Sequence, residues 1–482
     1  MYIKDFYKYI PSKAVPALIS FFIIMIYSRL LSPSEYGTYI LLMNLIMLSL
    51  NFSAAWIGMT ILRYHPKFIK KNKKGLHNAI LRLTIISTTI TMVVLIPVSY
   101  IIMQQSSDLT VVTMLITLPI LLFLLSFHMT FQFLFRIRRE IGWFNLATIY
   151  ESAVKLTIPL VLILLFGFGI EGIFLGFTAG VMISVVPFYI KAYEGYMPRN
   201  DDRKFGIEKK MIRYGTPLII SMSAFWFLNL SDRFILLLLA SSNDVGVYSA
   251  NYDLIEKSLN FIIILTLLPF TPIVMKKWEN DGVEKTRKFI ENFSRYYFSL
   301  LIIAVFLYIL YLEPILELLI DPEYHDGIEI LPFIALSLIF FGLFQLYQYG
   351  LLFHERTDLI SRTVIIAALV NITLNIILIP EYGYMAAAWS TLFSTMILST
   401  IVYYYSRVYF KFTIKASILI IMLFSCFSSA LIGYVMIKFI DLPELLESII
   451  GIAVTLTLFL IMVIGLKLFN LSEIKKLMLF SP

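Results

Sequence analysis

Residues 29–46 read RLLSPSEYGTYILLMNLI. This stretch begins where one apolar run ends, at about residue 31, and it opens a second run that continues to about residue 61. Between the two runs, SPSEYG at 32–37 carries the Ser, Pro and Gly residues that are typical of a turn. Because about 20 mainly apolar residues cross the hydrocarbon core of a bilayer, the stretch predicts two membrane-spanning helices joined by a short turn.

The same alternation of apolar runs and short polar breaks recurs along all 482 residues. The chain is 59% hydrophobic and only 15% charged, with a mean hydropathy of +0.85, and no soluble core could absorb that composition. The sequence therefore predicts an all-α polytopic membrane protein with about fourteen spans. The predicted spans are 14–31, 37–61, 79–103, 110–135, 142–166, 170–190, 214–240, 246–275, 289–312, 328–353, 361–380, 382–405, 413–440 and 443–467.

Basic residues predict the orientation. All but six of the 39 Lys and Arg residues lie in the termini or in and beside the loops that follow even-numbered spans, and the loops after odd-numbered spans contain none. Because basic loops stay in the cytoplasm, both termini are predicted to be cytoplasmic. The longest cytoplasmic loops, 191–213 and 276–288, are interpreted as amphipathic connectors at the inner surface.

The net charge of +8 is interpreted as a consequence of this topology. The most basic run, KFIKKNKK at 67–74, fits the same placement, although attraction of anionic lipid headgroups or nucleic acid is an alternative reading. The predicted partners include the bilayer and exclude nucleic acid. The basic N-terminus leads into an uncleaved first span, so the predicted location is the cytoplasmic (inner) membrane, with multiple passes.

Enzyme chemistry is not expected. Cys426 is the single cysteine, and the chain lacks His and Cys spacing for a metal, a glycine-rich phosphate loop and a sizeable outer loop. We therefore predict no enzyme activity, no metal and no cofactor, apart from a possible coupling proton or sodium ion.

An internal repeat predicts the organisation. SPSEYGTY at 32–39 and SSNDVGVY at 241–248 share serine, acid, glycine and tyrosine at the same spacing, and both join an odd-numbered span to the next one on the outer side. A weaker pair is GIEGIFLG at 169–176 and GYMAAAWS at 383–390. The repeat predicts two parallel six-helix halves, with the substrate pathway between them.

The predicted domains are an N-terminal half at 1–200, a C-terminal half at 206–410, and two additional helices with a cytoplasmic tail at 411–482. Small residues within the halves predict close helix packing. They are Gly172, Gly176, Gly180, Ala386, Ala387, Ala388 and Ser390.

The chain resembles the polysaccharide-transporter branch, which includes O-antigen flippases, of the multidrug/oligosaccharidyl-lipid/polysaccharide exporter superfamily. The residues that carry the resemblance are 29–46, TPLIISMSAFWFLNLSDRFILLLLASSNDVGVYSANYDLI at 216–255, and PEYGYMAAAWSTLFS at 380–394. It implies alternating access through a central cavity lined by spans 1, 2, 7 and 8. The implied function is flipping of polyprenyl-diphosphate-linked oligosaccharide from the cytoplasmic to the outer leaflet, for cell-surface polysaccharide biosynthesis. A polysaccharide polymerase or assembly proteins are possible partners.

Two alternatives within the same fold stay open. A cation-coupled multidrug antiporter would have a cavity dominated by carboxylates and aromatic residues. A peptidoglycan lipid-precursor flippase would have fourteen spans, as predicted here, whereas many polysaccharide flippases of this branch have twelve.

Ionisable residues inside the predicted spans are the candidate functional residues, since charges at membrane depth usually face a bundle interior or a wet cavity. Arg233 lies about 10 Å from the outer end of its predicted span at 1.5 Å per residue, and a guanidinium matches a diphosphate well. Carboxylates on the next span are candidates for a coupling ion. The substrate-binding candidates are Arg233, Lys257, Arg29 and Asp232, the coupling-ion candidates are Asp253 and Glu256, and Glu151 with Lys155 is predicted to form an intramembrane ion pair. His128 is a further possible proton relay, although a lone histidine is more often simply hydrogen-bonded.

Overall fold

A computed structural model describes residues 8–69, 73–103, 108–194, 205–412, 416–438 and 443–466. These residues form fifteen α-helices, and no strand occurs within the described ranges, so the all-α prediction is confirmed. The chain divides into two compact units, residues 1–246 and 247–482.

The first unit consists of eight helices and the first turn of a ninth. The helices are α1 (Pro11–Leu30), α2 (Pro33–Leu50), α3 (Trp56–Phe68), α4 (Lys73–Ile102), α5 (Asp108–Ile137), α6 (Ile141–Phe166), α7 (Ile170–Ala192), α8 (Phe205–Leu239) and α9 (Ser242–Asp281). A π-helical turn, Asn51–Ala55, connects α2 to α3 without a break.

The first repeat, at 32–39, is a helix start. Ser32 caps α2: its hydroxyl accepts from the Glu35 N–H at 3.4 Å, while the Glu35 carboxylate accepts from the Ser32 N–H at 3.0 Å. This reciprocal capping box satisfies two backbone donors, and Pro33 fits the first turn because it needs none. The second repeat starts α9 in a similar way, since the Asp244 N–H donates to the Ser241 hydroxyl at 3.1 Å.

The two repeats also pack against each other inside the first unit. The hydroxyl oxygens of Ser34 and Ser242 are 2.7 Å apart and share a hydrogen bond. A Cβ atom on Gly37 would lie 2.0 Å from the Ser242 carbonyl oxygen, and one on Gly246 would lie 1.8 Å from that of Pro33. Glycine therefore recurs in both repeats because the two backbones approach too closely for a side chain.

The π-helical turn leaves the Phe52 carbonyl available to other groups. That oxygen accepts from the Trp56 indole N–H at 2.8 Å and from the Ser87 hydroxyl of α4 at 2.6 Å. Ser53 in the same turn bonds Ser126 of α5 at 2.8 Å between hydroxyl oxygens. Insertion of a residue into the helix is thus compensated by polar contacts with two neighbouring helices.

Small residues set the spacing of α6 and α7, as predicted. A Cβ atom on Gly176 would lie 2.6 Å from the Pro159 nitrogen, and one on Gly180 would lie 2.6 Å from the Val154 Cβ. Close backbone contact of this kind replaces the hydrophobic effect, which does not drive association between helices in lipid.

The second unit contains the rest of α9 and six further helices. They are α10 (Val283–Tyr311), α11 (Glu313–Leu319), α12 (Leu331–Leu352), α13 (Thr357–Tyr409), α14 (Ala416–Lys438) and α15 (Glu444–Gly465), with a 3-10 helix at Pro322–Ile330. Stacked aromatic rings form part of its core, with ring centroids 3.8 Å apart for Phe270 and Phe293 and 4.5 Å apart for Trp278 and Phe353. Gly383, whose φ of 55° is non-helical, divides α13 at the predicted break between spans 11 and 12.

Twelve helical stretches of the described residues are long and apolar enough to span a membrane. One of them, α13, contains two predicted spans, and α9 covers the predicted span 246–275 but is not among the twelve. The described residues of all fourteen predicted spans thus fall on helices, while the exact number of crossings and the side of the termini stay predictions.

The interpretation of the long connectors was wrong in part. Residues 205–213 belong to α8 and residues 276–281 belong to α9, so both spans extend as continuous helices beyond the apolar core. Charged residues such as Lys, Arg and Glu are good helix formers, and α9 continues until Gly282, whose φ of 80° ends it. Residues 195–204 of the first connector lie outside the described part of the chain.

Candidate functional site

Arg233 and Asp232 form a buried ion pair on α8. The side chains of Arg233 and Asp232 are 1% and 3% exposed, and Arg233 Nη1 lies 3.1 Å from the carboxylate Oδ1 of Asp232. The same nitrogen donates to the Asn229 carbonyl one turn earlier, at 3.1 Å. Arg233 is therefore buried within the protein, and a ligand could reach its guanidinium only after this region rearranges, while its depth in the membrane stays a prediction.

Glu151 lies at the centre of a polar cluster on α5 and α6. Its carboxylate accepts from the Gln132 side-chain N–H at 2.8 Å and is 3.3 Å from Nε2 of His128. His128 Nε2 is also 3.1 Å from the Ala147 carbonyl oxygen. Sequence reasoning found Glu151 and His128 separately and missed Gln132, whose position four residues after His128 puts both on one face of α5.

Lys155 and Arg29 have different surroundings. The backbone carbonyl of Lys155 accepts a 2.7 Å hydrogen bond from the buried Tyr27 hydroxyl, which ties α1 to α6. Arg29 lies in the last turn of α1, where its side chain is exposed. The predicted ion pair between Glu151 and Lys155 stays a prediction, and so does the role of Arg29 in a cavity.

The acidic candidates of the second unit lie on α9. Lys257 donates to the Asp253 carboxylate at 3.0 Å, and Asn260 donates to the Glu256 carboxylate at 2.6 Å. Each pair is separated by four residues, the spacing that brings side chains together on a helix surface. Both carboxylates are partly exposed.

Two of the candidate cations are paired with carboxylates on their own helices. Arg233 is neutralised by Asp232, and Lys257 by Asp253, so neither pair presents an isolated cation. Such pairing lowers the cost of ionisable groups inside a membrane protein. Among the described residues, no cluster of three or more His, Cys, Asp or Glu side chains is arranged to hold a metal ion.

The sequence profile of a polysaccharide biosynthesis protein family matches residues 3–275, more than half of the chain. The chain belongs to this family. The matched region includes all but two residues of the first unit, both repeats and every predicted site residue. No curated protein matches the chain by sequence.

Solved structures match the fold over most of the chain. An inward-closed structure of the lipid II flippase MurJ superposes with a TM-score of 0.74 at 14% identity, covering 96% of this chain and 99% of that one. An inward-facing multidrug resistance MATE transporter of the MOP superfamily gives a TM-score of 0.65 at 13% identity, with 83% and 97% coverage. A MOP superfamily transporter from Pyrococcus furiosus gives 0.59 at 14%, with 84% and 94% coverage.

The protein is therefore a multi-pass membrane protein with the fold of MOP superfamily transporters and flippases, as the resemblance implied. At these identities the structural matches establish the fold and leave the substrate open. The MurJ structure matches a larger share of this chain than the MATE structures do.

Proposed function

We propose that the protein flips a polyprenyl-diphosphate-linked oligosaccharide from the cytoplasmic to the outer leaflet of the inner membrane by alternating access. The observation that carries the proposal is membership of the polysaccharide biosynthesis family on a flippase fold. Sugar polymers assembled on a lipid carrier need such a step because the sugar and diphosphate cannot cross the hydrocarbon core unaided. A polysaccharide polymerase or assembly protein would receive the product.

Arg233 is the proposed ligand of the carrier diphosphate. The Asp232 carboxylate is paired with the Arg233 guanidinium. When the cavity opens, a diphosphate would replace that carboxylate. Arginine can bind it in a bidentate geometry that lysine cannot reproduce. Lys257, Arg29 and Asp232 are proposed to complete the substrate site. Asp253 and Glu256 are the proposed sites for a coupling proton or sodium ion.

A second candidate, flipping of a lipid-linked peptidoglycan precursor, is favoured by the MurJ likeness over 96% of the chain. Both candidates share a lipid carrier and differ in the glycan. A cation-coupled multidrug antiporter is the third reading, and the MATE structures share its fold.

Reconstituted translocation would test the proposal. Full-length protein in vesicles should expose lipid-linked oligosaccharide to an impermeant glycosidase faster than empty vesicles do, and parallel vesicles with the peptidoglycan precursor would separate the two candidates. Export of a fluorescent cationic drug from loaded vesicles would test the antiporter reading. Export of the drug without movement of either lipid-linked sugar would contradict the flippase proposal.

A further inference from the structure

A cavity of about 550 Å³ opens where α3 ends and α8 begins. Six side chains line it, three basic and three aromatic: Lys67, Lys210, Arg213, Tyr64, Phe68 and Tyr214. Both helix ends lie in the first unit, on the side that the basic loops assign to the cytoplasm. The volume is within the range of small-molecule sites.

Helix spacing creates the cavity. On α3, Tyr64 and Phe68 are four residues apart, as are Arg63 and Lys67, so an aromatic row runs beside a basic row. A close contact between the two helices fixes the walls, because a Cβ atom on Gly215 would lie 2.1 Å from the Trp56 ring.

Aromatic rings contact one cation of the cavity, Lys210, and the neighbouring Arg63. The Lys210 Nζ lies 5.4 Å from the centre of the Phe68 ring, and the Arg63 Cζ lies 4.7 Å from that of Tyr214. Tyr64 contacts Tyr214 edge to face, with ring centroids 5.8 Å apart. Cation–π contacts of this kind hold long side chains in place without neutralising their charge.

The cavity has no described carboxylate to balance its cations. Among the residues that the structure describes, Lys67, Lys210 and Arg213 form no ion pair, and all three side chains are exposed. The nearby Glu208 is paired with Arg82 of α4 at 3.7 Å. Two helical positions separate Glu208 from Lys210, about 200° around α8, so the carboxylate faces away from the cavity.

We propose that this cavity binds the phosphate headgroup of an anionic lipid at the membrane surface. Three cations supply charge-assisted donors, the two tyrosine hydroxyls add further donors, and the aromatic rings pack against the lipid beyond its headgroup. The headgroup is that of the polyprenyl diphosphate carrier or of a phospholipid, and the chemistry of recognition is the same. This site is separate from the Arg233 candidates and does not depend on the proposed transport.

Equilibrium lipid binding to the full-length protein tests the site without any translocation. Native mass spectrometry would follow titration with polyprenyl diphosphate in one arm and phosphatidylglycerol in the other. The variant Lys67→Ala/Lys210→Ala/Arg213→Ala should weaken binding at least about tenfold, since each charge-assisted hydrogen bond is substantial. The matched control, Lys209→Ala/Lys285→Ala/Lys288→Ala, removes the same charge from exposed positions outside the cavity and should bind as the wild type does.

The two arms identify the source of the phosphate. Weakening for polyprenyl diphosphate alone assigns the cavity to the carrier lipid, and weakening for both lipids assigns it to anionic lipids in general. Equal weakening in the control would show diffuse attraction by basic residues and would overturn the proposal, as would unchanged binding in the cavity variant. A melting temperature near that of the wild type would confirm that all variants are folded, as expected for exposed substitutions.

Discussion

Among single residues, Arg233 is the proposed ligand of the carrier diphosphate and is also buried in an ion pair. It is a buried cation, and its partner Asp232 is its neighbour in the chain. A buried pair contributes little net stability, but loss of one member costs about 3–5 kcal/mol because the other stays buried and unpaired. An alanine variant alone therefore mixes a folding effect with a functional one.

A paired set of variants separates these effects. Arg233→Ala should abolish transport, and Arg233→Lys should restore part of it because the charge remains without the bidentate geometry. The neutral pair Asp232→Asn/Arg233→Gln should melt close to the wild type and still fail to transport. Translocation would be measured in vesicles at matched amounts of folded protein. Recovery of transport by the neutral pair would mean that Arg233 only balances Asp232.

Among the helices and turns of the first unit, the two repeat turns are in close backbone contact. Both turns are capped helix starts, and their glycines allow backbone atoms to approach within contact distance. Alternating access, as proposed, requires such a contact on the outer side to open once in each cycle.

A cross-link should therefore stop the cycle. The hydroxyl oxygens of Ser34 and Ser242 are 2.7 Å apart, so the double variant Ser34→Cys/Ser242→Cys brings two thiols within reach of a disulfide. Oxidation should reduce transport to the background of empty vesicles, and a reductant should restore it. Each single-cysteine variant is the control, and Cys426 can stay because it is buried. Full transport by the oxidised protein would contradict opening at this contact.

At the scale of the whole molecule, orientation is the prediction that underlies every functional statement. Basic loops place Asp281 inside, and the repeat turn places Asn243 outside. Single cysteines at these two exposed positions should be labelled by an impermeant reagent from opposite sides of the membrane. Labelling of position 243 only after the membrane is broken would reverse the topology.

Further positions extend the same test. Asn72 and Asn200 are predicted inside, and Ser106 and Asp321 outside. The first three lie beyond the described residues, so labelling is their direct measurement. The parallel relation of residues 1–200 to 206–410, with 411–482 as an added part, stays a prediction that an experimental structure of the two halves would check.

Apolar runs and local motifs were enough to predict the class, the helices and the repeat from the sequence. Apolar runs of span length have one stable solution in lipid, because every backbone group must be satisfied inside its own helix. The repeat could be recognised from the sequence because Ser32 and Ser241 cap helices through contacts with residues three positions later.

Which side chains from different helices meet could not be predicted from the sequence. Gln132 donates a hydrogen bond to Glu151, and Glu208 forms an ion pair with Arg82. Lys67 and Arg213 line the same cavity. Each of these pairs comes from two different helices. Spacing along one helix restricts which residues share a face, as it did for Tyr64 and Phe68. It does not specify the neighbouring helix, because in lipid that choice depends on close packing at sites such as Gly215 and Gly176 rather than on hydrophobicity.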